Sequence, residues 1–251
     1  MHYTLTTLAE RPELKPQLSV LDKEAWPTFM LKDAVAVHSW ERLLRYFPQY
    51  QLILYDEQDH VVAEGNSIPF LWDGTVQDLP TGWDAVLKLG VSEYEQGQQP
   101  NALSALAILV KPTLRNQAMS RQMIQAMRTL ATTHGLSTLL APVRPSFKSR
   151  YPLIPIEEYA SWTREDGLPF DPWMRVHARL GAKFVRVAPQ SMIITGTVQE
   201  WEEWTEMRLP QSGSYIVADA LVPVTILCES NEGRYEEPNV WMQHSVPSYE
   251  C

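Results

Sequence analysis

Ser104-Ala-Leu-Ala-Ile-Leu-Val110 runs through Lys111-Pro-Thr-Leu114 into Arg115-Asn-Gln-Ala118-Met-Ser120, and this junction decides the fold. The first seven residues are small and apolar without alternation, which suits a strand buried on both faces. Lys111-Pro112-Thr113-Leu114 breaks that run. From Gln117 to His134, Met119, Met123, Met127 and Leu130, with Ile124 and Ala131 beside them, fall on one helical stripe. Arg121, Gln125, Arg128 and Thr132 lie away from it, and Gly135 offers a left-handed stop. Thr138–Val143 is a second buried-type strand. Strand, helix and strand in this order predict a βαβ unit with a right-handed crossover, hence an α/β fold.

Upstream, Ala34–Tyr46 has helical spacing (Val37, Trp40, Leu43, Leu44) and ends before Pro48. Gln51–Tyr55 and His60–Gly65 flank the polar turn Asp56–Asp59 and read as a hairpin. Pro69–Asn101 reads as less regular. Downstream, Arg144–Phe170 is a long irregular segment rich in Pro, Tyr and Arg. Asp171-Pro172 then supplies an N-cap acceptor and a fixed φ for a helix that Gly181 ends. Lys183–Val187 and Ser191–Thr197 read as two closing strands around Pro189. The remainder, with Trp201, Trp204, Trp241 and the short runs Tyr215–Val217 and Val222–Leu227, reads as an extension packed on the main domain.

The chain carries 21 basic and 30 acidic residues, a net charge of −9. Such a surface repels phosphate backbones and anionic bilayers, so neither nucleic acid nor membrane is an expected partner. Cys228 and Cys251 form no disulfide framework, and no CxxC pair suggests zinc, so no metal is expected. No stretch approaches the roughly 20 uninterrupted apolar residues of a membrane span, and Met1-His-Tyr-Thr-Leu-Thr does not read as a signal peptide. The expected location is cytoplasmic.

A helix that opens directly after a buried strand presents unpaired N–H groups and partial positive charge to an anion. Small residues there, Ala118 and Ser120, let the backbone approach a phosphate closely. Neither a GxxxxGK[ST] loop nor a Rossmann fingerprint occurs. The pattern Arg115-x-x-Ala118-x-Ser120 resembles the pyrophosphate motif of the GNAT acyltransferases, Arg/Gln-x-x-Gly/Ala-x-Gly/Ala, with Ser in place of the final Gly or Ala. The order helix, hairpin, strand, motif, helix, strand, helix, strand, strand over residues 34–197 also resembles the layout of that superfamily. The resemblance implies a central mixed sheet flanked by helices, with a GNAT-like domain over 1–197 and an extension over 198–251. It implies acetyl-CoA as co-substrate, held by Ile108, Val110, Arg115, Asn116, Gln117, Ala118, Met119 and Ser120. The implied activity is N-acylation: an acetyl or short acyl group passes from acyl-CoA to an amine of a small molecule. The alternative is a non-catalytic GNAT-like module that binds acyl-CoA or senses it. A homodimer is compatible with either.

GNAT enzymes often place a Tyr four residues before the Gly that ends the later helix. Here His177 occupies that position, in His177-Ala-Arg-Leu-Gly181. An imidazole could serve proton transfer there, or pack in the stripe Trp173, Val176, His177, Leu180. Ser104–Val110 carries no carboxylate, which leaves Glu93, Glu95 or Asp166 as a base, or water and backbone alone. Aromatic and charged residues on a long segment beside a catalytic helix suit an acceptor pocket. Tyr151, Tyr159, Trp162 and Asp166 are therefore the expected acceptor-binding residues.

Overall fold

A computed structural model describes residues 3–114 and 117–246. In chain order its main elements are β1 (Thr4–Thr7), α1 (Lys15–Ala25), α2 (Ala34–Tyr46), β2 (Leu52–Tyr55), β3 (Val61–Phe70) and α3 (Trp83–Glu95). There follow β4 (Ala102–Val110), α4 (Gln117–Thr133), β5 (Thr138–Val143), α5 (Ile156–Ser161), α6 (Pro172–Arg179) and β6 (Lys183–Gly196). The chain then forms α7 (Val198–Thr205), β7 (Gly213–Tyr215), β8 (Val224–Leu227) and β9 (Glu232–Ser245). The strands make one mixed sheet in the order β1-β2-β3-β4-β5-β9-β8-β7, and β6 pairs with β9.

The predicted βαβ unit is present. β4 and β5 are parallel neighbours, and α4 buries Met119, Met123, Ile124, Met127 and Ala131. It crosses close over β3, where a Cβ on Gly65 would stand 2.9 Å from the Cε atoms of both Met123 and Met127. α1, α2 and α3 cover the opposite face. There Leu14, Leu18 and Leu21 pack with Ile53 and Leu109. Gly90 brings α3 onto β3, since a Cβ there would meet Ile68 at 2.6 Å.

Four features differ from the sequence reading. Pro69–Asn101 contains α3, whose buried Trp83, Val86, Leu87 and Val91 do follow helical spacing; Gly90 and the flanking Gly82 mask it as loop. Arg144–Phe170 contains the short α5. Lys183–Gly196 is one strand, because a bulge between Ala188 and Met192 absorbs Pro189, Gln190 and Ser191 without ending the ladder. Glu232–Ser245, placed by the sequence reading in an extension, is β9. It lies inside the sheet, antiparallel to β5 on one side and β6 on the other.

Candidate active site

The sheet opens where β4 and β5 part. The parallel pair meets at Leu103↔Leu139 and Ser104↔Leu140, and the strands diverge beyond. Their facing edges then have no strand neighbour among the described residues, so the backbone amides of the diverging segments can bond a ligand. A cleft of about 560 Å³ occupies the opening, walled by Ala105–Val110 on one side and 141–143 on the other. A bulge sharpens the divergence: Asn66 pairs with Ala107 and Ser67 with Ala105, so Leu106 is the extra residue. Its carbonyl accepts a 2.8 Å hydrogen bond from the Trp83 indole. Trp83 in turn stacks on Trp40, centroids 6.1 Å apart and planes inclined by 19°.

The cleft passes through the sheet and has two chemically different ends. On the α4 and α6 side it is lined by Ser120, Trp173 and His177. On the other side it meets Asp22 of α1, Trp26 just after that helix, Trp40 of α2, and Arg144, Glu237 and Asn239. Of the residues expected to hold the cofactor, Ile108, Val110 and Ser120 line the cleft, whereas Met119 is turned into the core. Arg115 and Asn116 lie outside the described residues, as do the side chains of Gln117 and Ala118.

His177, the expected catalytic residue, lines the cleft and is only 3% exposed. Asp171 caps its helix, accepting from the backbone N–H of Trp173 and Met174. His177 Nδ1 lies 2.9 Å from His244 Nε2, on β9. Burial, with the neighbouring His244 second, pushes the His177 imidazole down to about 3. Burial and then Arg128 push His244 down to about 4. Both rings are therefore neutral at neutral pH, and one N–H is shared between them. His244 Nδ1 is buried with no hydrogen-bond partner among the described residues. A bare ring nitrogen in that place costs less than a stranded N–H. The favoured arrangement thus has His244 Nε2–H donating to His177 Nδ1, which puts the single ring proton of His177 on Nε2.

The four expected acceptor residues are not brought to the cleft. Tyr151, Tyr159, Trp162 and Phe170 stack on one another, with centroids between 5.2 and 6.2 Å apart. Tyr159 is buried and donates its hydroxyl to Asp171 at 2.9 Å. Asp166 sits in an exposed turn 3.9 Å from Arg164. None of the four lines the cleft; their aromatic surface is spent on one another. Of the candidate bases, Glu93 accepts from the Leu71 N–H, and Glu95 accepts from the Tyr46 hydroxyl.

Acidic and aromatic groups missed from the sequence, among them Asp22, Trp26 and Glu237, line the far end instead. Arg144 donates to both Glu237 oxygens at 2.9 Å and to the Asp219 carbonyl at 2.7 Å. The Tyr235 hydroxyl completes the set, donating to Glu237 Oε2 at 2.9 Å. Burial pushes Asp22 up to about 6. Glu64, on β3, is raised well above the usual carboxylate range by burial and by Asp22. The sequence carries one signal of this: a Glu in the apolar run Val61-Val-Ala-Glu64 is out of place unless it has a task.

A mixed sheet opened between two parallel strands, with a helix starting at the opening, defines a GNAT-type acyltransferase site. A curated relative, the arginine N-acetyltransferase avaD of Aspergillus versicolor, is 35% identical over 277 residues, covering 97% of this chain and 94% of that protein. The chain belongs to the GNAT superfamily of acyl-CoA-dependent N-acyltransferases, enzymes that use acetyl-CoA as co-substrate. Among solved structures, the loading GNATL domain of CurA from Lyngbya majuscula shares the fold at a TM-score of 0.63 and 18% identity, covering 98% of each chain. The GNAT-like decarboxylase GphF in complex with isobutyryl-CoA shares it at 0.56 and 15%, covering 98% of this chain and 100% of that one. No family model matches the chain. No helix among the described residues is long and apolar enough to cross a membrane.

Proposed function

We propose that this chain transfers an acetyl group from acetyl-CoA to a nitrogen of arginine or a related small molecule bearing a guanidinium. The observation that carries the reading is the two-ended cleft. Its α4 end offers a helix start and open strand edges to the thioester arm, and its α1 end offers carboxylates and indoles to a cationic acceptor. The name of the relative in Aspergillus versicolor supports the same acceptor class.

The reacting nitrogen adds to the acyl carbon, the C–S bond breaks, the nitrogen releases a proton, and the thiolate takes one up. With its ring neutral, His177 is a poor proton donor but a good hydrogen-bond donor. Its Nε2–H stabilises the charge that develops on oxygen or sulfur, and His244 holds the ring in that tautomer. Positioning in the narrow opening supplies the remainder. Steady CoA release, read with a thiol reagent against arginine and a panel of amines, tests the proposal, with product mass as confirmation. Release that depends on arginine and yields a product heavier by one acetyl group is expected. Acetyl-CoA binding without turnover of any amine would instead favour the non-catalytic binding module.

A further inference from the structure

Asp22 lines the acceptor end of the cleft, and Glu64 lies next to its wall, opposite Leu109 on β4. Glu64 is 1% exposed, and its Oε1 has no hydrogen-bond partner among the described residues. It lies on the face of β3 opposite to Gly65, which is pressed against α4, and so points to the α1 side. Its register partner on β4 is Leu109, which lines the cleft. Above it α1 carries Asp22, also a lining residue, close enough for its charge to bear on Glu64. No salt bridge among the described residues includes either carboxylate. A buried acid and a half-buried one held together, with no salt bridge to either among the described residues, oppose folding unless something else selects them.

We infer that Asp22 and Glu64 form the subsite for the acceptor's non-reacting cation, a guanidinium gripped between carboxylates from two elements beside the indoles of Trp26 and Trp40. The inference rests on the acyl-transfer reading above and adds to it the residues that choose the substrate. A guanidinium suits the place better than an ammonium: its planar fork can bond two separate carboxylates at once. Its flat face also stacks on indole. Arg144 does not fill this role, because its guanidinium is committed to Glu237 and the Asp219 carbonyl. The held group is not the nitrogen that reacts, since a neighbouring carboxylate stabilises the protonated form and works against attack.

The test compares arginine with citrulline, which keeps the length and shape but replaces the guanidinium by a neutral urea. The wild-type enzyme is expected to favour arginine by roughly 100-fold or more in kcat/KM, because a buried acid left without its cation rejects the neutral analogue. Asp22→Asn and Glu64→Gln, each close to isosteric, should cut that preference to below about tenfold while leaving the KM for acetyl-CoA within about twofold. A purely structural role would lower both substrates' turnover together and leave their ratio unmoved. Equal use of arginine and citrulline by the wild type, or an unchanged ratio in both variants, overturns the inference. Turnover of other amines in that event leaves acyl transfer standing; no turnover with any amine removes both.

Discussion

Asn in place of Asp22 should make the protein more stable at neutral pH, not less. Asp22 is raised from 3.8 to about 6 by burial. The folded state therefore holds the proton more tightly than the unfolded chain. The stability linked to that proton is fully present below about pH 4 and is lost as pH rises through about 6. Above that point the folded protein bears the whole cost of a charged, half-buried carboxylate. Two units at 1.36 kcal/mol each set a ceiling of about 3 kcal/mol. Access to the cleft screens part of this, leaving about 1–2 kcal/mol. For a chain of this size that is a rise in Tm of roughly 3–6 °C. Thermal unfolding of wild type and Asp22→Asn at a series of pH values between about 4 and 8 reads it out directly. The difference should be near zero at the acid end and reach its full value above pH 6. A variant less stable than wild type at pH 7 would show that the native carboxylate already has a partner that satisfies its charge, and the argument would fail.

His177→Phe should lower kcat by roughly 10–100-fold with the acetyl-CoA KM nearly unchanged; because burial holds the wild-type ring down to about 3, the wild-type rate profile should show no inflection near pH 6.5 from this group. Asp171→Ala removes the cap on Trp173 and Met174 and strands both the Tyr159 hydroxyl and the Phe147 N–H, so denaturant unfolding should show a loss of about 3 kcal/mol.

The layout was most legible where one period dominated. The apolar run of β4, the methionine stripe of α4 and the Asp171-Pro172 cap each had a single local reading, and each element stands where that reading put it. Helix α3 was missed because Gly90 serves tertiary packing on Ile68, a need that local propensity does not express. The candidate site was legible only in part. The offset from Gly181 singled out His177, which lines the cleft, but the ring it touches, His244, comes from a strand remote in sequence. The acceptor end joins α1, α2, β9 and Arg144, so no spacing rule links its residues. Tyr151, Tyr159 and Trp162 drew attention because aromatic residues on an irregular segment suit a ligand wall; in the structure they satisfy one another.

The position of β9 has a consequence for how the molecule is made. β5 and β6 are both synthesised before the strand that must lie between them. At about 5–20 residues per second, the growing chain spends several seconds with β5 and β6 made and their common partner still missing. During that interval the backbone edges of β5 and β6 are open, and both are apolar enough to recruit a strand from a neighbouring nascent chain. The last strand to arrive also brings His244, Glu237 and Asn239. Closure of the sheet and completion of the cleft are thus one event, and a nascent chain halted before β9 has neither.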